Sequence, residues 1–556
     1  MNSPAFDRPS GGAQARGHHD VVIMGGGLAG LTLALQLKLR FVDIDVLVLE
    51  RRHHPVPEAA YKVGESTVEI GAHYFSHVLG LKDHLESAQL RKFGFRFFFS
   101  EGRRDIDQVT EIGASTALAV TTYQIDRGIF ENFLAEEARR RGVRFMDATL
   151  VREVDLSTDE KPHRLRCERA GAVHEFSARW LIDASGRAGL LKRKLGLAQG
   201  NAHDCNAVWF RIRDRINIDS WSDNPAWQAR CDPRERWRST NHLVGEGYWV
   251  WLIPLASGSH SVGIVADPKM HPLEQIDSFD KAMRWFERYQ PRLFDDLDGK
   301  RHLLQDFAFF KHFSYGCEQV FSAQRWALSG EAGLFADPFY SPGSDFIAIG
   351  NTYITELVAL DRERRPLGAH AQVFDQIYHS FYDSTLALYT GQYGLFGDPE
   401  VLPVKVLWDY AYYWGVLSQI FFQGRLADLG ALSGLRDELV LCQKLNLAVQ
   451  AFLRDWSARS KKCNPPVMLD QATLPWFTEL NCSLNHSLDA AQFTARLRQS
   501  TQQLRALAAQ LLERACAAYP GLEAGPLRAL LHAGDSAGLT VSEGAPAMLL
   551  DGSLPA

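Results

Sequence analysis

The sequence predicts an α/β fold, and three features of the chain predict it. An apolar run, a glycine-rich turn, a helical pattern and a second apolar run follow one another between residues 21 and 50, as in a strand–helix–strand unit of a parallel sheet. Between residues 205 and 267 apolar and polar residues alternate, which is typical of antiparallel strands. From about residue 361 to 556 the apolar spacing is mostly helical.

The glycine-rich turn has the spacing of a dinucleotide-binding motif. Gly25, Gly27 and Gly30 form a G-x-G-x-x-G pattern, in which glycines permit a tight turn, close approach of a pyrophosphate and close packing of the helix. Glu50 follows the second apolar run, and a carboxylate there accepts hydrogen bonds from ribose hydroxyls and disfavours a 2′-phosphate. The sequence therefore predicts FAD or NAD as the cofactor, and not NADP.

Composition and charge exclude several classes of protein. The 556 residues are 46% apolar and 23% charged, as in a globular protein, and the net charge of -6 offers no basic field for nucleic acid. Eight cysteines include no C-x-x-C pair, which predicts no metal site and reduced thiols in a cytoplasmic protein. No stretch reaches the roughly 18 apolar residues of a membrane span. Residues 1–19, and those after about Gly534, are predicted to be loose tails.

Three further segments place polar groups at the ends of predicted elements. Glu65 and Ser66 precede a helical pattern, where backbone N–H groups can face a cofactor. Arg127 lies between a short strand and an amphipathic helix. Asp183 to Gly186 end an apolar strand with little side-chain bulk and with donors for phosphate or ribitol oxygens.

An aromatic segment from Leu90 to Gly102 is predicted to form one strand. The two-residue period of a strand places successive side chains on opposite faces. We therefore expect Lys92 to lie at the start of this strand, on the face opposite four phenylalanines. Those phenylalanines are Phe93, Phe95, Phe97 and Phe99, and Gly94 and Arg96 share the face of the lysine.

The alternating region contains a predicted hairpin with two tryptophans on one face. Trp249 and Trp251 are two residues apart in its first strand, so both indoles project to the same side of the sheet. Ser257 to Ser259 are predicted to form the turn.

A second strand, turn and helix follow between residues 325 and 360. Glu331 lies in the turn and Asp337-Pro338 in the loop, and a long helix is predicted from about Asp345. The preceding segment, Ser341 to Ser344, places backbone donors at the N-terminus of this helix, which predicts an anion site. Further along, the aromatic segment 406–424 could cover a substrate pocket, line a dimer or carrier-protein interface, or form buried core.

Four of these segments together resemble the FAD-binding scaffold of the aromatic-hydroxylase superfamily. They are the glycine motif with Glu50, Gly64-Glu65-Ser66, Asp183 to Gly186, and Gly330 to Pro338. The resemblance covers residues 20–360 and implies a doubly wound, Rossmann-like FAD domain interleaved with an antiparallel substrate sheet, at about 90–120 and 205–310, followed by a helical domain at 361–556. The cofactor-binding residues that we predict are Gly25, Gly27, Gly30, Glu50, Glu65, Ser66, Arg127, Asp183, Gly186, Glu331, Asp337 and Pro338.

The residues Trp249 to Pro254 narrow the resemblance, because they match the W-x-W-x-I-P signature of flavin-dependent halogenases. In that family the tryptophans are thought to keep the organic substrate away from the flavin. Lys92, in Lys-Phe-Gly, resembles the active-site lysine of the family, and Gly343 and Ser344 resemble the backbone segment that holds chloride or bromide. The resemblance implies that reduced FAD, O2 and halide generate hypohalous acid, which Lys92 presents to an electron-rich aromatic ring.

The resemblance also implies partners. Because the sequence holds one dinucleotide fingerprint, we expect a separate flavin reductase to supply FADH2. Phenolic or pyrrolic rings, free or carrier-bound, are the expected substrates, and a homodimer is one predicted assembly. Two alternatives stay open: an FAD-dependent monooxygenase or oxidoreductase without halogenating activity, and a non-catalytic flavin-binding subunit whose aromatic helices near residues 408–422 dock another surface.

Overall fold

The fold is an α/β core joined to a second large sheet and a helical C-terminal region. The computed structural model describes residues 16–59 and 62–535. The strands are β1 (Arg16–Met24), β2 (Val46–Leu49), β3 (Leu90–Lys92), β4 (Phe95–Phe98), β5 (Glu111–Gly113), β6 (Thr122–Gln124), β7 (Arg144–Met146), β8 (Thr149–Asp155), β9 (His163–Arg169), β10 (Ala172–Asp183), β11 (Ala198–Gln199), β12 (Asn206–Ile212), β13 (Thr240–Gly245), β14 (Tyr248–Pro254), β15 (His260–Ala266), β16 (Leu304–Phe310), β17 (Gly316–Cys317), β18 (Trp326–Leu328) and β19 (Met468–Asp470).

Helices follow the strands of the core and fill the C-terminal third. They are α1 (Leu28–Arg40), α2 (Glu69–His73), α3 (Lys82–Ala88), α4 (Arg127–Arg140), α5 (Leu190–Leu195), α6 (Pro225–Gln228), α7 (Phe279–Tyr289), α8 (Pro291–Asp298), α9 (Gly343–Arg362), α10 (Gly368–Leu386), α11 (Leu402–Tyr412), α12 (Gln419–Phe422), α13 (Leu429–Ser433), α14 (Arg436–Ser457), α15 (Pro475–Ser483), α16 (Ala490–Ala518) and α17 (Gly525–Asp535). Two π-helical turns, Tyr74–Val78 and Tyr413–Ser418, continue α2 and α11.

The first sheet contains the predicted strand–helix–strand unit. β7, β2, β1, β10 and β18 pair in parallel in this order, and all four residues of β2 are buried, as expected for a strand covered on both faces. The N-terminal half of β10 pairs antiparallel with β9, and β9 with β8. Residues 16–19 belong to β1 and pair with β10, so the predicted tail 1–19 is too long; its first 15 residues, and those after 535, lie outside the described residues.

The second sheet carries the predicted hairpin. Its eight strands follow the order β16, β12, β15, β14, β13, β4, β5 and β19, and β14 and β15 pair antiparallel across the turn at residues 255–259. The pairs β13–β4 and β5–β19 are parallel, so the sheet is mixed. Its last strand, β19, comes from the C-terminal region, which is otherwise mostly helical, as predicted.

The aromatic segment does not form the single predicted strand. Gly94 has φ +77°, a conformation open to glycine, and the chain turns there. β3 pairs with β6 in a separate two-stranded sheet, whereas β4 joins the large sheet. Lys92 consequently lies at the end of a strand and not at its start. Every residue of β4 is buried. Phe95, Phe97 and Phe99 pack in one core cluster and Phe98 in another, as the predicted alternation requires.

The C-terminal region is held together by a large apolar core. Trp408 and Trp414 are fully buried, which places the aromatic segment 406–424 in the interior. In the described part of the chain, no helix is long and apolar enough to cross a lipid bilayer.

A buried ion network fixes the edge of the large sheet. Glu111, on β5, forms ion pairs with Arg96 on β4 and with Arg236, whose Nε donates to Glu111 Oε1 at 2.9 Å. Arg236 also contacts Asp219 at 3.2 Å. The side chains of Arg96, Glu111 and Arg236 are fully buried, so each charge depends on its partners for compensation.

We expect Glu111→Ala to lower the free energy of unfolding by about 3–5 kcal/mol, because it leaves two buried guanidinium groups without their shared carboxylate. Urea unfolding followed by tryptophan fluorescence measures the change. The control is Glu153→Ala, which removes an exposed ion pair with Arg166 and should leave the midpoint almost unchanged. Equal midpoints for the two variants would contradict the importance of this network.

Candidate active site

A cavity of about 500 Å³ opens where the parallel strands of the first sheet end. Ligands of doubly wound sheets bind at this edge, outside the carboxyl ends of the strands. Most of the predicted site residues line it: Gly25, Gly27, Glu50, Glu65, Ser66, Arg127, Gly186, Trp249, Trp251, Glu331, Pro338, Gly343 and Ser344. Gly30, Asp183, Asp337 and Lys92 are not in its lining.

The glycine turn forms one wall of this cavity, at the N-terminus of α1. The carboxylate of Glu50 accepts hydrogen bonds from the backbone N–H of Gly26 at 2.7 Å and of Arg52 at 2.8 Å, which holds it at the rim. Gly30 acts from behind the turn: an added Cβ would lie 2.0 Å from the carbonyl oxygen of Gly25. The backbone donors, the helix N-terminus and the carboxylate are the groups that a dinucleotide such as FAD requires.

A second wall carries buried ion pairs. Glu65 pairs with Arg211, and burial raises the pKa of the Glu65 carboxyl. Arg127 donates from Nε to Glu131 at 3.1 Å and from Nη1 to the carbonyl oxygen of Val63 at 2.6 Å. Arg127 therefore ties the loop before Glu65 to helix α4, besides presenting its guanidinium to the cavity.

Asp183 shapes the wall without reaching the cavity. Its Oδ1 accepts hydrogen bonds from the Ser185 N–H at 3.0 Å and hydroxyl at 2.6 Å, and its Oδ2 from the Leu191 N–H at 2.7 Å. The side chain is fully buried. The sequence predicts that Asp183 binds the cofactor. In the structure its carboxylate instead holds the turn that brings residues 184–188 to the cavity.

Asp337 also lies behind the wall, in a hydrogen-bonded chain that ends at a tryptophan. Its Oδ2 accepts hydrogen bonds from the Tyr393 hydroxyl at 2.6 Å and from His203 Nε2 at 2.7 Å. The indole N–H of Trp249 donates to the same Tyr393 oxygen at 3.1 Å. Asp337 thus positions Trp249. The sequence predicts that Asp337 binds the cofactor, but its side chain does not line the cavity.

The two tryptophans stand side by side in the cavity wall. Their ring centroids are 5.7 Å apart, and Trp251 donates to Ser261 Oγ at 3.1 Å. An added Cβ on Gly263 would lie 2.2 Å from the Trp251 indole, so this glycine leaves the space in which the ring lies. Beside them, burial lowers the pKa of His242 to about 3, which keeps its imidazole neutral.

The N-terminus of α9 forms the far end of the cavity. The helix begins at Gly343 and runs for 20 residues, so its first N–H groups carry the positive end of a long helix dipole. The hydroxyl of Ser344 is buried and has no hydrogen-bond partner among the described residues. The helix N-terminus favours an anion at this end of the cavity, and the Ser344 hydroxyl lies against α2, where an added Cβ on Gly71 would be 2.2 Å from it.

The carboxyl of Asp345, next in the sequence, is held by two hydrogen bonds. Its carboxyl oxygens accept hydrogen bonds from the Gly71 N–H at 2.8 Å and from the Tyr413 hydroxyl at 2.6 Å. Burial raises its pKa to about 8, which reduces the negative charge beside the helix N-terminus near neutral pH.

Lys92 lies between the first cavity and a second one of about 250 Å³. Its Nζ donates to Ser66 Oγ and to the Thr67 carbonyl oxygen, both at 3.0 Å, and lies 3.4 Å from the centroid of the Phe95 ring. Ser66 lines the first cavity, whereas Lys92 and Glu69 line the second. The amine therefore connects the two spaces.

Opposing effects set the pKa of the Lys92 amine. Burial lowers the pKa of Lys92 to about 7, against the opposing effect of the Glu69 and Asp345 carboxyls. Burial also raises the pKa of Glu69. Near neutral pH, Lys92 is thus present both as ammonium and as neutral amine.

Sequence reasoning missed several residues of this arrangement. Glu69, Tyr393, Tyr413 and His242 all contact or face residues that were predicted, yet none lies in a recognisable motif. Glu69 follows Ser66 by three residues, but its proximity to Lys92 arises only from the packing of α2 beside β3 and β6, which no local spacing records.

Comparisons with known proteins agree with this geometry. Residues 18–253 match the family model of an FAD binding domain. Flavin-dependent halogenase chlA of Dictyostelium discoideum is 26% identical over 430 residues, which are 72% of this chain and 70% of that protein. The 1H-pyrrole-2-carbonyl-[peptidyl-carrier protein] chlorinase of Pseudomonas fluorescens is 25% identical over 347 residues, covering 58% of this chain and 72% of that protein.

A solved structure supports the fold over most of the chain. The crystal structure of halogenase PltM superposes with a TM-score of 0.62 and 17% identity, covering 88% of this chain and 96% of that one. The predicted fold class, an FAD-binding α/β domain with a second sheet and a helical C-terminal region, is confirmed. The chain therefore contains an FAD binding domain, and it is similar to flavin-dependent halogenases in sequence and to a solved halogenase in fold.

Proposed function

We propose that this protein uses FADH2, O2 and chloride or bromide to halogenate an electron-rich aromatic substrate, phenolic or pyrrolic. The observation that carries the proposal is the position of Lys92. Its buried amine donates a hydrogen bond to Ser66, which lines the cavity of about 500 Å³, and Lys92 itself lines the cavity of about 250 Å³. An oxidised halogen species formed in the first space would meet this amine before it reached the second.

We propose that the large cavity holds FAD, which in its reduced form supplies, with O2, the two-electron oxidation of halide. The glycine turn and Glu50 would hold the adenosine and pyrophosphate, with Glu65, Ser66, Arg127, Gly186, Glu331 and Pro338 along the rest of the cofactor. Gly30, Asp183 and Asp337 would contribute by packing and positioning, because none of them lines the cavity.

Gly343 and Ser344 are proposed to bind the halide. The first N–H groups of α9 offer donors to an anion, and the raised pKa of the Asp345 carboxyl reduces repulsion. Trp249 and Trp251 would close the cavity against the aromatic substrate, since their rings fill the wall beside it.

Lys92 is proposed to bind hypohalous acid and present it to the ring in the smaller cavity. As ammonium it can donate a hydrogen bond to the acid, whose oxygen–halogen bond breaks as the carbon–halogen bond forms, with the ring proton and hydroxide leaving as water. As neutral amine it can instead exchange an N–H bond for an N–halogen bond with release of water, and transfer to the ring then forms the carbon–halogen bond while the ring proton returns to the nitrogen.

The proposed partners are a flavin reductase and an aromatic substrate. A separate flavin reductase would supply FADH2, because the sequence holds one dinucleotide fingerprint. The substrate is proposed to be free or carrier-bound, and similarity to a chlorinase of carrier-bound pyrrole supports the carrier-bound form. The cytoplasmic location and the homodimer stay predictions from the sequence.

The decisive experiment combines the protein with FAD, a flavin reductase, NADH, bromide and a panel of simple phenols, with mass spectrometry of the products. We expect a brominated phenol. A hydroxylated product without bromine would assign the protein to the monooxygenases instead.

Lys92→Met should lower bromination at least about 100-fold, since a positioned side chain of this kind typically contributes 10²–10⁴ in rate. FAD affinity, measured by flavin fluorescence, should change little, because Lys92 does not line the FAD cavity. Bromination at the wild-type rate would show that hypobromite leaks into solution and that Lys92 has no catalytic role.

Glu69→Gln should shift the pH profile of bromination to lower pH. The Glu69 carboxyl raises the pKa of Lys92 from the value that burial alone would impose, so its removal favours the neutral amine. If the neutral amine is the working form, the variant-to-wild-type rate ratio should be largest below pH 7 and fall as the pH rises through about 7. This ratio cancels the pH dependence of the reductase and of free hypobromite. Asp345 and His242, the other titratable groups beside Lys92, are unchanged in both proteins. A ratio independent of pH would contradict the coupling.

Gly30→Ala should weaken FAD binding at least about tenfold. Alanine normally favours a helix over glycine by about 1 kcal/mol, but here the added Cβ would lie 2.0 Å from the Gly25 carbonyl oxygen, so the turn must move. Gly368→Ala is the matched control, because Gly368 is also in a helix and an added Cβ meets nothing within 4 Å. Similar dissociation constants for both variants and the wild type, measured by fluorescence titration, would refute this role of the turn.

A further inference from the structure

A third cavity, of about 630 Å³, lies inside the helical C-terminal region. Its walls come from α9, α10, α11, α13, α14 and the π-helical turn at Tyr413–Ser418. It is larger than the FAD cavity and belongs to neither space described above. We call it the helical cavity.

The inner end of the helical cavity reaches the site of Lys92. Val68 and Tyr410 line both the helical cavity and the cavity of Lys92. Phe95, the ring over which the Lys92 amine lies, lines the helical cavity as well. The helical cavity and the cavity of Lys92 therefore adjoin each other at Val68 and Tyr410.

The outer end of the helical cavity reaches the protein surface between α10 and α14. Gln376, Ser380 and Arg436 are exposed residues of its lining. Val440, also in the lining, is 39% exposed, although most valines are buried. A ligand could therefore extend from solvent to the neighbourhood of Lys92 through this space.

The chemistry of the walls indicates what the cavity holds. Most of its middle part is aliphatic or aromatic, with Ile349, Ile377, Phe381, Leu388, Leu417 and Leu432. A cavity of about 150 Å³ is enough for benzene, so the volume exceeds the need of one aromatic ring about fourfold. An apolar space of this size fits a hydrocarbon chain better than a second ring.

We propose that the substrate is a phenol that carries an alkyl or acyl chain, with its ring beside Lys92 and its chain in the helical cavity. This inference rests on the proposed function for the placement of the ring. The chain supplies binding energy away from the reacting carbon, and the apolar walls select for it.

The test measures binding without turnover, so it does not depend on halogenation. The FAD-loaded protein, without reductant or halide, is titrated with resorcinol and with 5-pentylresorcinol, and dissociation constants are obtained by calorimetry. Burial of each methylene is worth roughly a fourfold change in affinity. We expect 5-pentylresorcinol to bind at least about 100-fold tighter than resorcinol, after a discount for incomplete burial.

Two variants locate the chain. Ile377→Trp fills the middle of the helical cavity, and Val440→Trp obstructs its exposed end, where misfolding is not expected. Each should weaken 5-pentylresorcinol at least about tenfold and leave resorcinol unchanged. Val173→Trp is the matched control, because Val173 is also 39% exposed but lies on β10, away from the helical cavity.

The outcomes separate this proposal from the proposed function. Equal affinity for resorcinol and 5-pentylresorcinol would overturn the inference even if simple phenols are brominated. Tighter binding of 5-pentylresorcinol that neither Ile377→Trp nor Val440→Trp weakens would overturn it as well. Tight, variant-sensitive binding without any bromination would support the inference and count against the halogenase assignment. A pantetheine-linked phenol that bound more tightly than 5-pentylresorcinol, and lost affinity in the same variants, would assign the cavity to a carrier arm and overturn the proposal.

Discussion

The buried amine of Lys92 is the group on which the arrangement of the site depends. Placing an ammonium in the interior is costly unless hydrogen bonds and opposite charges compensate for lost hydration. Here Ser66, the Thr67 carbonyl and the face of Phe95 provide part of this compensation, and the nearby carboxyls provide the rest. Because burial and the carboxyls oppose each other, both forms of the amine are accessible near neutral pH.

That position follows from a break in the chain that looks unremarkable in the sequence. If residues 90–102 formed one continuous strand, Lys92 and Phe95 would project to opposite faces. The turn at Gly94 separates β3 from β4 and brings the amine back over the ring of Phe95. The glycine therefore decides the geometry of the site, and it also lines the cavity of Lys92.

The parts of the fold that were predictable are those recorded by local patterns. The glycine turn with Glu50 and the hairpin with its two tryptophans follow from spacing alone, and in the structure both line the same cavity. Glu69 and β19 were not predictable, because a buried carboxyl resembles any helix-start acid and a three-residue strand carries too little periodicity. Asp183 and Asp337 were located correctly along the chain, but only the tertiary contacts show that they act through neighbouring residues.

The short stretch Ser66–Glu69 couples the three cavities. Ser66 faces the FAD cavity, Val68 faces both the cavity of Lys92 and the helical cavity, and Glu69 faces the cavity of Lys92. Val68 is therefore part of the boundary between two spaces, and Glu69 begins helix α2 directly after it. The Lys92 amine donates to the two residues before Val68, to the Ser66 hydroxyl and the Thr67 carbonyl oxygen, so the stretch that borders the cavities also holds the amine.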